Sequence, residues 1–325
     1  MSPIKLNMNE IPYLPPQRVI EAAQKGLSNL NRYADPEDLE LLRKLIADYS
    51  KVPIEHVVVS AGSNLLLKEI IHMFSKGRSV IITNPSFFPA IQCVKQYATK
   101  LTRIQLVPPG FNLNLDFIIN ELNESSLVII DNPDNPTGKI LLDKGVVKTI
   151  IENKNVLLVV DEAYFEFSGI TCADMVKRYP NLAVVRTLDK SFGLAGARVG
   201  YLLAGKIFLD AFSTFYASLP QSSLYAAIEA LKDHRYVKKN IELTIKERER
   251  VSKELEEIGF QVYPSSTNFL LIRTGIPDIG SELKDRDVLI LDLSTQWLQG
   301  FVRVSIGTPK ENDIFLSSIR EVLKV

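Results

Sequence analysis

Lys190 and Arg198 stand eight residues apart in the stretch Arg186-Thr187-Leu188-Asp189-Lys190-Ser191-Phe192-Gly193-Leu194-Ala195-Gly196-Ala197-Arg198-Val199-Gly200, flanked by the apolar runs Leu182 to Val185 and Val199 to Ala204. A lysine amine can attack a carbonyl carbon to form a Schiff base, and a guanidinium offers an anion a planar fork of donors. Other reactive side chains recur in one kind of place. Ser63 and Asn64 follow the run Val57-Val58-Val59, and Phe87 comes soon after Val80-Ile81-Ile82. Asn135 comes after Leu127-Val128-Ile129-Ile130, and Asp161 and Tyr164 follow Leu157-Leu158-Val159-Val160.

The elements that must carry these groups can be read from the same runs. Continuous apolar segments with little alternation predict strands buried on both faces, and helices between them predict right-handed crossovers. In such a parallel sheet the strand C-termini point to one edge, where ligands bind. Ser63, Asn64, Phe87, Asn135, Asp161, Tyr164, Lys190 and Arg198 are therefore expected to converge although they span over a hundred residues. Residues 6–16, rich in Asn and Pro, read as an extended arm. Val19, Ile20, Ala23, Leu27 and Leu30 then mark an amphipathic helix, and a second helix is expected over 37–49. Beyond Gly205 the texture changes to helices over 224–231 and 236–258, strands over 269–272, 288–291 and 301–304, and a closing helix over 311–323. This predicts an α/β domain followed by a smaller α+β domain. The expected division is 1–30 as arm and helix packing with the small domain, 31–215 as the large domain, and 216–325 as the small one.

The bulk numbers exclude several classes. Lys and Arg total 38 against 38 Asp and Glu, so no nucleic-acid or anionic-membrane partner is indicated. No apolar run approaches the roughly 20 residues of a membrane span, and no secretory signal opens the chain, so a cytoplasmic location is expected. Cys93 and Cys172 are too few for a disulfide framework, and His56, His72 and His234 have no metal-ligand spacing, so no metal is expected. A nucleotide-binding module would carry Gly-x-Gly-x-x-Gly after its first strand, and this chain does not.

Pyridoxal phosphate is an aldehyde whose site needs a lysine, a carboxylate for the pyridinium nitrogen and an anion site for the phosphate. Lys190 suits the aldehyde, and the charge of Asp161 would keep the ring nitrogen protonated. Ser63 and the start of the helix at Leu65 suit the phosphate, with Arg198 adding a fixed charge. Asn135 and Tyr164 can donate to the phenolic oxygen, and Phe87 can stack on the ring.

With Asp134-Asn135-Pro136-Thr137-Gly138, Asp161-Glu162-Ala163-Tyr164 and the Lys190 to Arg198 loop, the chain resembles the fold-type-I pyridoxal-phosphate aminotransferases. More narrowly it is similar to the histidinol-phosphate aminotransferases. The signs are Asn9-Glu10-Ile11-Pro12-Tyr13, Arg32-Tyr33-Ala34-Asp35-Pro36, Gly62-Ser63-Asn64, Leu194-Ala195-Gly196-Ala197-Arg198, Thr267-Asn268-Phe269 and Val302-Arg303-Val304-Ser305-Ile306-Gly307-Thr308. The likeness runs nearly end to end. It implies a large domain with a mostly parallel seven-stranded sheet sandwiched by helices, plus the smaller α+β domain. It implies transamination of histidinol phosphate with 2-oxoglutarate in histidine biosynthesis, by ping-pong half-reactions through a Lys190 Schiff base. An aromatic or other amino-acid aminotransferase and a threonine-phosphate decarboxylase are the alternatives on this scaffold.

The resemblance also implies roles. Lys190 is the catalytic residue. Gly62, Ser63, Asn64, Phe87, Asn135, Asp161, Tyr164, Thr187 and Arg198 bind the cofactor, with Tyr33 reaching the cofactor of a neighbouring subunit in a homodimer with shared sites. Arg303, Asn135 and Tyr13 bind the substrate, Tyr13 closing over it from the arm. Two positions depart from the family pattern. The residue before the lysine is usually Ser or Thr and here is Asp189, a carboxylate that should repel a phosphate. It can turn away, pair with a cation such as Arg186 or Arg198, or lower the affinity for the cofactor, and turning away is the expectation. About a dozen residues before Arg303, where phosphate-binding members carry a second arginine, the chain reads Ile290-Leu291-Asp292-Leu293. A single arginine suits one carboxylate as well as a phosphate.

Overall fold

Five of the six uninterrupted apolar runs form the middle of a seven-stranded sheet, and the sixth, Val57-Val58-Val59, lies at one of its edges. The computed structural model describes residues 3–123, 125–153, 156–215, 218–294 and 298–324. Across the sheet the order is β2 (Val57–Ser60), β8 (Gly200–Ala204), β7 (Leu182–Thr187), β6 (Leu157–Asp161), β5 (Ser126–Asp131), β3 (Ser79–Asn84) and β4 (Lys100–Gln105). The five strands from β7 to β4 are parallel, while β8 runs antiparallel to both of its neighbours. Successive side chains of one strand feed opposite cores. Val128 and Ile130 of β5 pack in one cluster with Leu158, Val160 and Tyr201, and Leu127 and Ile129 in the other with Leu66, Ile70 and Val94. Each such fully buried aliphatic contributes about 1.5–3 kcal/mol, which explains why these strands show no polar alternation. Strand β4 carries Lys100, Thr102, Arg103 and Gln105 and has no apolar run to announce it. It is the sheet's edge, where polar side chains are tolerated.

Helices α1 (Gln17–Leu27), α2 (Pro36–Ser50), α3 (Ser63–Ser75), α4 (Phe88–Tyr97), α5 (Leu115–Glu121), α6 (Lys144–Ile151), α7 (Phe165–Ser168) and α8 (Lys206–Ala211) accompany this sheet. Helix α9 (Gln221–Lys232) buries Leu224, Ala227 and Leu231 in the same core as β5 to β8, and α1 lies along it. The long α10 (Arg235–Glu257) leads to an antiparallel sheet ordered β12 (Leu291–Asp292), β13 (Phe301–Ser305), β10 (Phe269–Arg273) and β9 (Gln261–Tyr263). Helices α11 (Ile279–Lys284) and α12 (Pro309–Leu323) share its core with Val251 and Leu255 of α10. Helix α12 starts where the sequence offers a capping box: Thr308 Oγ1 accepts from the Glu311 amide, and the Glu311 carboxylate accepts from the Thr308 amide. The run 288–291, expected as one strand, divides in two. Strand β11 (Val288–Leu289) pairs with β1 (Ile4–Lys5) at the chain's start, and β12 pairs with β13.

Candidate active site

The C-terminal ends of the parallel strands open on a cavity of about 600 Å³, roofed by the N-terminal arm and flanked by β12 and β13. Ser63, Asn64, Phe87, Asn135, Asp161, Tyr164, Thr187, Lys190, Arg198 and Arg303 all line it. Gly62, Tyr13 and Tyr33 do not. Gly62 lies directly behind the wall, Tyr13 faces a separate groove between the arm and Gly193, and the Tyr33 side chain stands in solvent at 82% exposure.

Local chemistry explains each placement. Helix α3 begins at Ser63, so its free amides face the cavity. Gly62 before it adopts φ +95°, and a Cβ there would fall 2.6 Å from Arg198 Nη2. Across the sheet, a Cβ on Gly200 would sit 2.2 Å from the Ser63 amide nitrogen, so only glycine lets β8 approach this helix end. The β7–β8 connection then presents Lys190 and Arg198 together. Lys190 Nζ donates to the Met8 carbonyl at 3.3 Å and lies 5.7 Å from the centre of the Tyr164 ring. Arg198 Nη1 donates to the Asp189 carboxylate.

Asp161 ends β6 directly beside Asp131, which ends β5. Both are buried. Burial, with the Asp131 charge second, pushes the Asp161 carboxyl up to about 8. Asp131 is pushed to about 6 by burial, opposed by bonds from the Phe87 amide at 2.8 Å and Ser86 Oγ at 3.0 Å to its Oδ2. Those bonds fix the loop that carries Phe87, while Asp131 Oδ1 has no hydrogen-bond partner among the described residues. Asp161, buried and with the Ala163 amide donating to its Oδ1 at 3.0 Å, is a fitting acceptor for a protonated ring nitrogen. On the far wall, Arg303 is buried. Its Nη1 donates to Asn135 Oδ1 at 2.6 Å and its Nη2 to the Asn7 carbonyl at 2.8 Å, while Nε has no partner and no carboxylate pairs with it among the described residues. Burial lowers its pKa accordingly.

A lysine amine, a buried carboxylate, an arginine at a helix start and a second, uncompensated guanidinium thus share one cavity. The family model described as aminotransferase class I and II matches residues 2–319. The chain belongs to this family. It is therefore a transaminase, and its cofactor is pyridoxal phosphate. A histidinol-phosphate aminotransferase of Sulfurisphaera tokodaii is 36% identical over 99% of the chain and 90% of its own length. One of Thermoanaerobacter pseudethanolicus is 36% identical, over 98% of the chain and 93% of its length. Among solved structures, the histidinol-phosphate aminotransferase of Clostridium acetobutylicum superposes with a TM-score of 0.89 at 25% identity, covering 99% of both chains. The residues present fit the cofactor of a class I and II aminotransferase: the carboxylate, the amine and the amide-rich helix start stand in one cavity.

Two residues of the aminotransferase site are not given a role by the sequence, and the place of a third is corrected by the fold. Asn9 is buried with φ +53°; its Nδ2 donates to Tyr164 Oη at 2.8 Å and its backbone amide donates to Ser305 Oγ at 2.8 Å. Nothing local signals this, because the arm acquires its partners only by crossing the fold. Asp131 could have been found, since it closes an apolar strand as Asp161 does. Asp189 is the third, and it corrects the expectation that this side chain turns away. It lines the cavity and holds Arg198. Arg186, the other cation considered, is already taken by Glu162.

Proposed function

We propose that the chain transaminates histidinol phosphate with 2-oxoglutarate in the cytoplasm, as a homodimer with shared sites. The observation that carries this reading is the uncompensated Arg303 guanidinium facing the same cavity as Lys190. The histidinol-phosphate aminotransferases similar to it over nearly their whole length support the substrate. Pyridoxal phosphate, when bound, supplies the electron sink that makes the substrate Cα–H acidic. Lys190 Nζ would hold the aldehyde and, as a free amine, would move the proton at the substrate Cα. Asp161 would accept from the ring nitrogen, Asn135 and Tyr164 would contact the phenolic oxygen, and Phe87 would cover a ring face. Ser63, Asn64, Thr187 and Arg198 hold the phosphate, with Gly62 leaving room for the Arg198 side chain. Arg303 binds the acidic group of the substrate, with Tyr13 closing from the arm. Exposed Leu14, Leu30 and Tyr33 on the N-terminal segment suit contact with a second subunit, whose cofactor Tyr33 would reach. The proposed division into 31–215 and 216–325, bridged by the arm, would set the wall bearing Lys190 against the wall bearing Arg303, with α9 of the second part packed in the core of β5 to β8.

A second reading has its own observation. Leu291 stands opposite Arg303 in the β12–β13 register, and with Leu293 it lines the cavity. A wall with one guanidinium and two leucines suits an amino acid with one carboxylate and an apolar or aromatic side chain. Visible absorption and carbon dioxide release of the holoenzyme, followed after separate additions of L-histidinol phosphate, L-glutamate and an aromatic amino acid, test both. Loss of the band with histidinol phosphate is the expected result. A band that responds only to an aromatic amino acid would replace the substrate, and carbon dioxide release would replace transamination with decarboxylation.

A further inference from the structure

The Arg198–Asp189 contact occupies the place assigned above to the cofactor phosphate. We propose that Asp189 is a resident anion of this subsite: it holds Arg198 until a phosphate takes its place, so that cofactor binding is an exchange of one anion for another. The inference rests on the assignment of the phosphate to Ser63 and Arg198.

Four observations carry it. The Asp189 side chain is 8% exposed and lines the same cavity as Ser63, Thr187 and Lys190, so it is not a surface carboxylate that happens to pass an arginine. Its Oδ2 accepts from Arg198 Nη1, while among the described residues Oδ1 is buried without a hydrogen-bond partner; this half-satisfied carboxylate can be released from Arg198. Its backbone amide donates to Thr187 Oγ1 at 3.1 Å, which ties the main chain of Asp189 to the subsite even when the side chain moves. Finally, Arg198 has little freedom to serve two anions. Its backbone is in the left-handed region at φ +53°, and its guanidinium packs against Gly62, where a Cβ would lie 2.6 Å from Nη2.

A dianionic phosphate at the start of α3 would meet the Asp189 carboxylate across one guanidinium. Like charges sharing a desolvated site repel strongly, and a single arginine cannot neutralise both. The phosphate gains its full set of bonds only if the carboxylate leaves Arg198. The ion pair therefore keeps the cofactor-free loop in its binding geometry and lowers net cofactor affinity at the same time. The effect must be specific to the phosphate. Pyridoxal, which lacks that group, does not compete for Arg198.

The test uses the full chain freed of cofactor, as wild type, Asp189→Ser and Asp189→Asn, titrated with pyridoxal phosphate and separately with pyridoxal while the visible band is followed. Both variants are expected to bind pyridoxal phosphate about tenfold more tightly, the scale of one charge-assisted hydrogen bond, and to bind pyridoxal within about twofold of wild type. The near-isosteric Asn variant guards against a packing defect in the Ser variant. Unchanged or weaker pyridoxal phosphate binding in both variants overturns the exchange, as does an equal gain for pyridoxal. Failure of all three proteins to develop a band overturns the site assignment beneath it, and the inference falls with it.

Discussion

Two arginines of the β7–β8 segment pair with carboxylates, Arg186 with Glu162 after β6 and Arg198 with Asp189, and the two pairs behave in opposite ways. Arg186 and Glu162 are sealed beneath the cavity at 2% and 0% side-chain exposure. Glu162 Oε2 accepts from Arg186 Nε at 3.0 Å and Nη2 at 2.8 Å, and its Oε1 accepts from the Cys172 amide at 2.7 Å. The guanidinium carbon sits 3.5 Å from the centre of the Phe165 ring, and Ser50 and Thr171 take further donors. Burial alone would lower the Arg186 pKa, but Glu162, with Tyr201 and Glu166 beside it, more than offsets this and raises it. Arg198 and Asp189, twelve and three residues further on, have one bond, one orphaned oxygen and an arginine side chain half in solvent. The first pair has no unused capacity and can only hold the strand ends together. The second has capacity left over, as a binding site requires.

The largest effect should come from the sealed pair. Glu162→Leu leaves a buried guanidinium unpaired and should cost about 3–5 kcal/mol of folding stability, measured by urea unfolding of the cofactor-free protein. Adding Arg186→Met should recover much of the loss. A cost for Glu162→Leu below about 1 kcal/mol, the range of exposed pairs, would erase the contrast. Arg198→Met leaves the buried Asp189 carboxylate without its cation and should cost about 1–3 kcal/mol of folding stability, less than the sealed pair because the lost guanidinium is half in solvent. Its cofactor Kd should rise about ten- to hundredfold, the worth of one or two charged hydrogen bonds. A folding defect as large as that of Glu162→Leu would make Arg198 structural instead.

The open cavity also predicts a pH signature. The Asp161 carboxyl moves from its ordinary 3.8 to about 8 on folding. Between those values the folded chain holds a proton that the unfolded chain has lost, so stability of the cofactor-free protein should fall as pH rises through that window. Asp161→Asn should flatten this part of the profile, and a profile unaltered by the substitution would mean that the cavity is wetter than its geometry indicates. The smallest effect concerns the far wall. Leu291→Arg adds a cation opposite Arg303 and should raise kcat/KM for a phosphate-bearing substrate relative to an aromatic amino acid by about tenfold, one favourable ionic contact. No change in that ratio would remove Leu291 from specificity.

Residue types and the runs that precede them specify the set of groups and the edge at which they meet. Lys190, Arg198, Asp161, Asn135 and Ser63 were legible because each follows an apolar run, and parallel strands impose a common edge on whatever follows them. The interior strands were legible for the same reason, since a strand buried on both faces has no room for polar residues. Strand β4 was not, because an edge strand obeys no such rule. Tertiary structure decided the pairings. Asn9 meets Tyr164 across 155 residues and Arg303 meets Asn135 across 168. Asp189 had two cations within reach by sequence, and only the fold gave Arg186 to Glu162 and left Arg198 for Asp189. A charge announces itself in the sequence, but its partner is chosen by distance and desolvation, which exist only once the chain has folded.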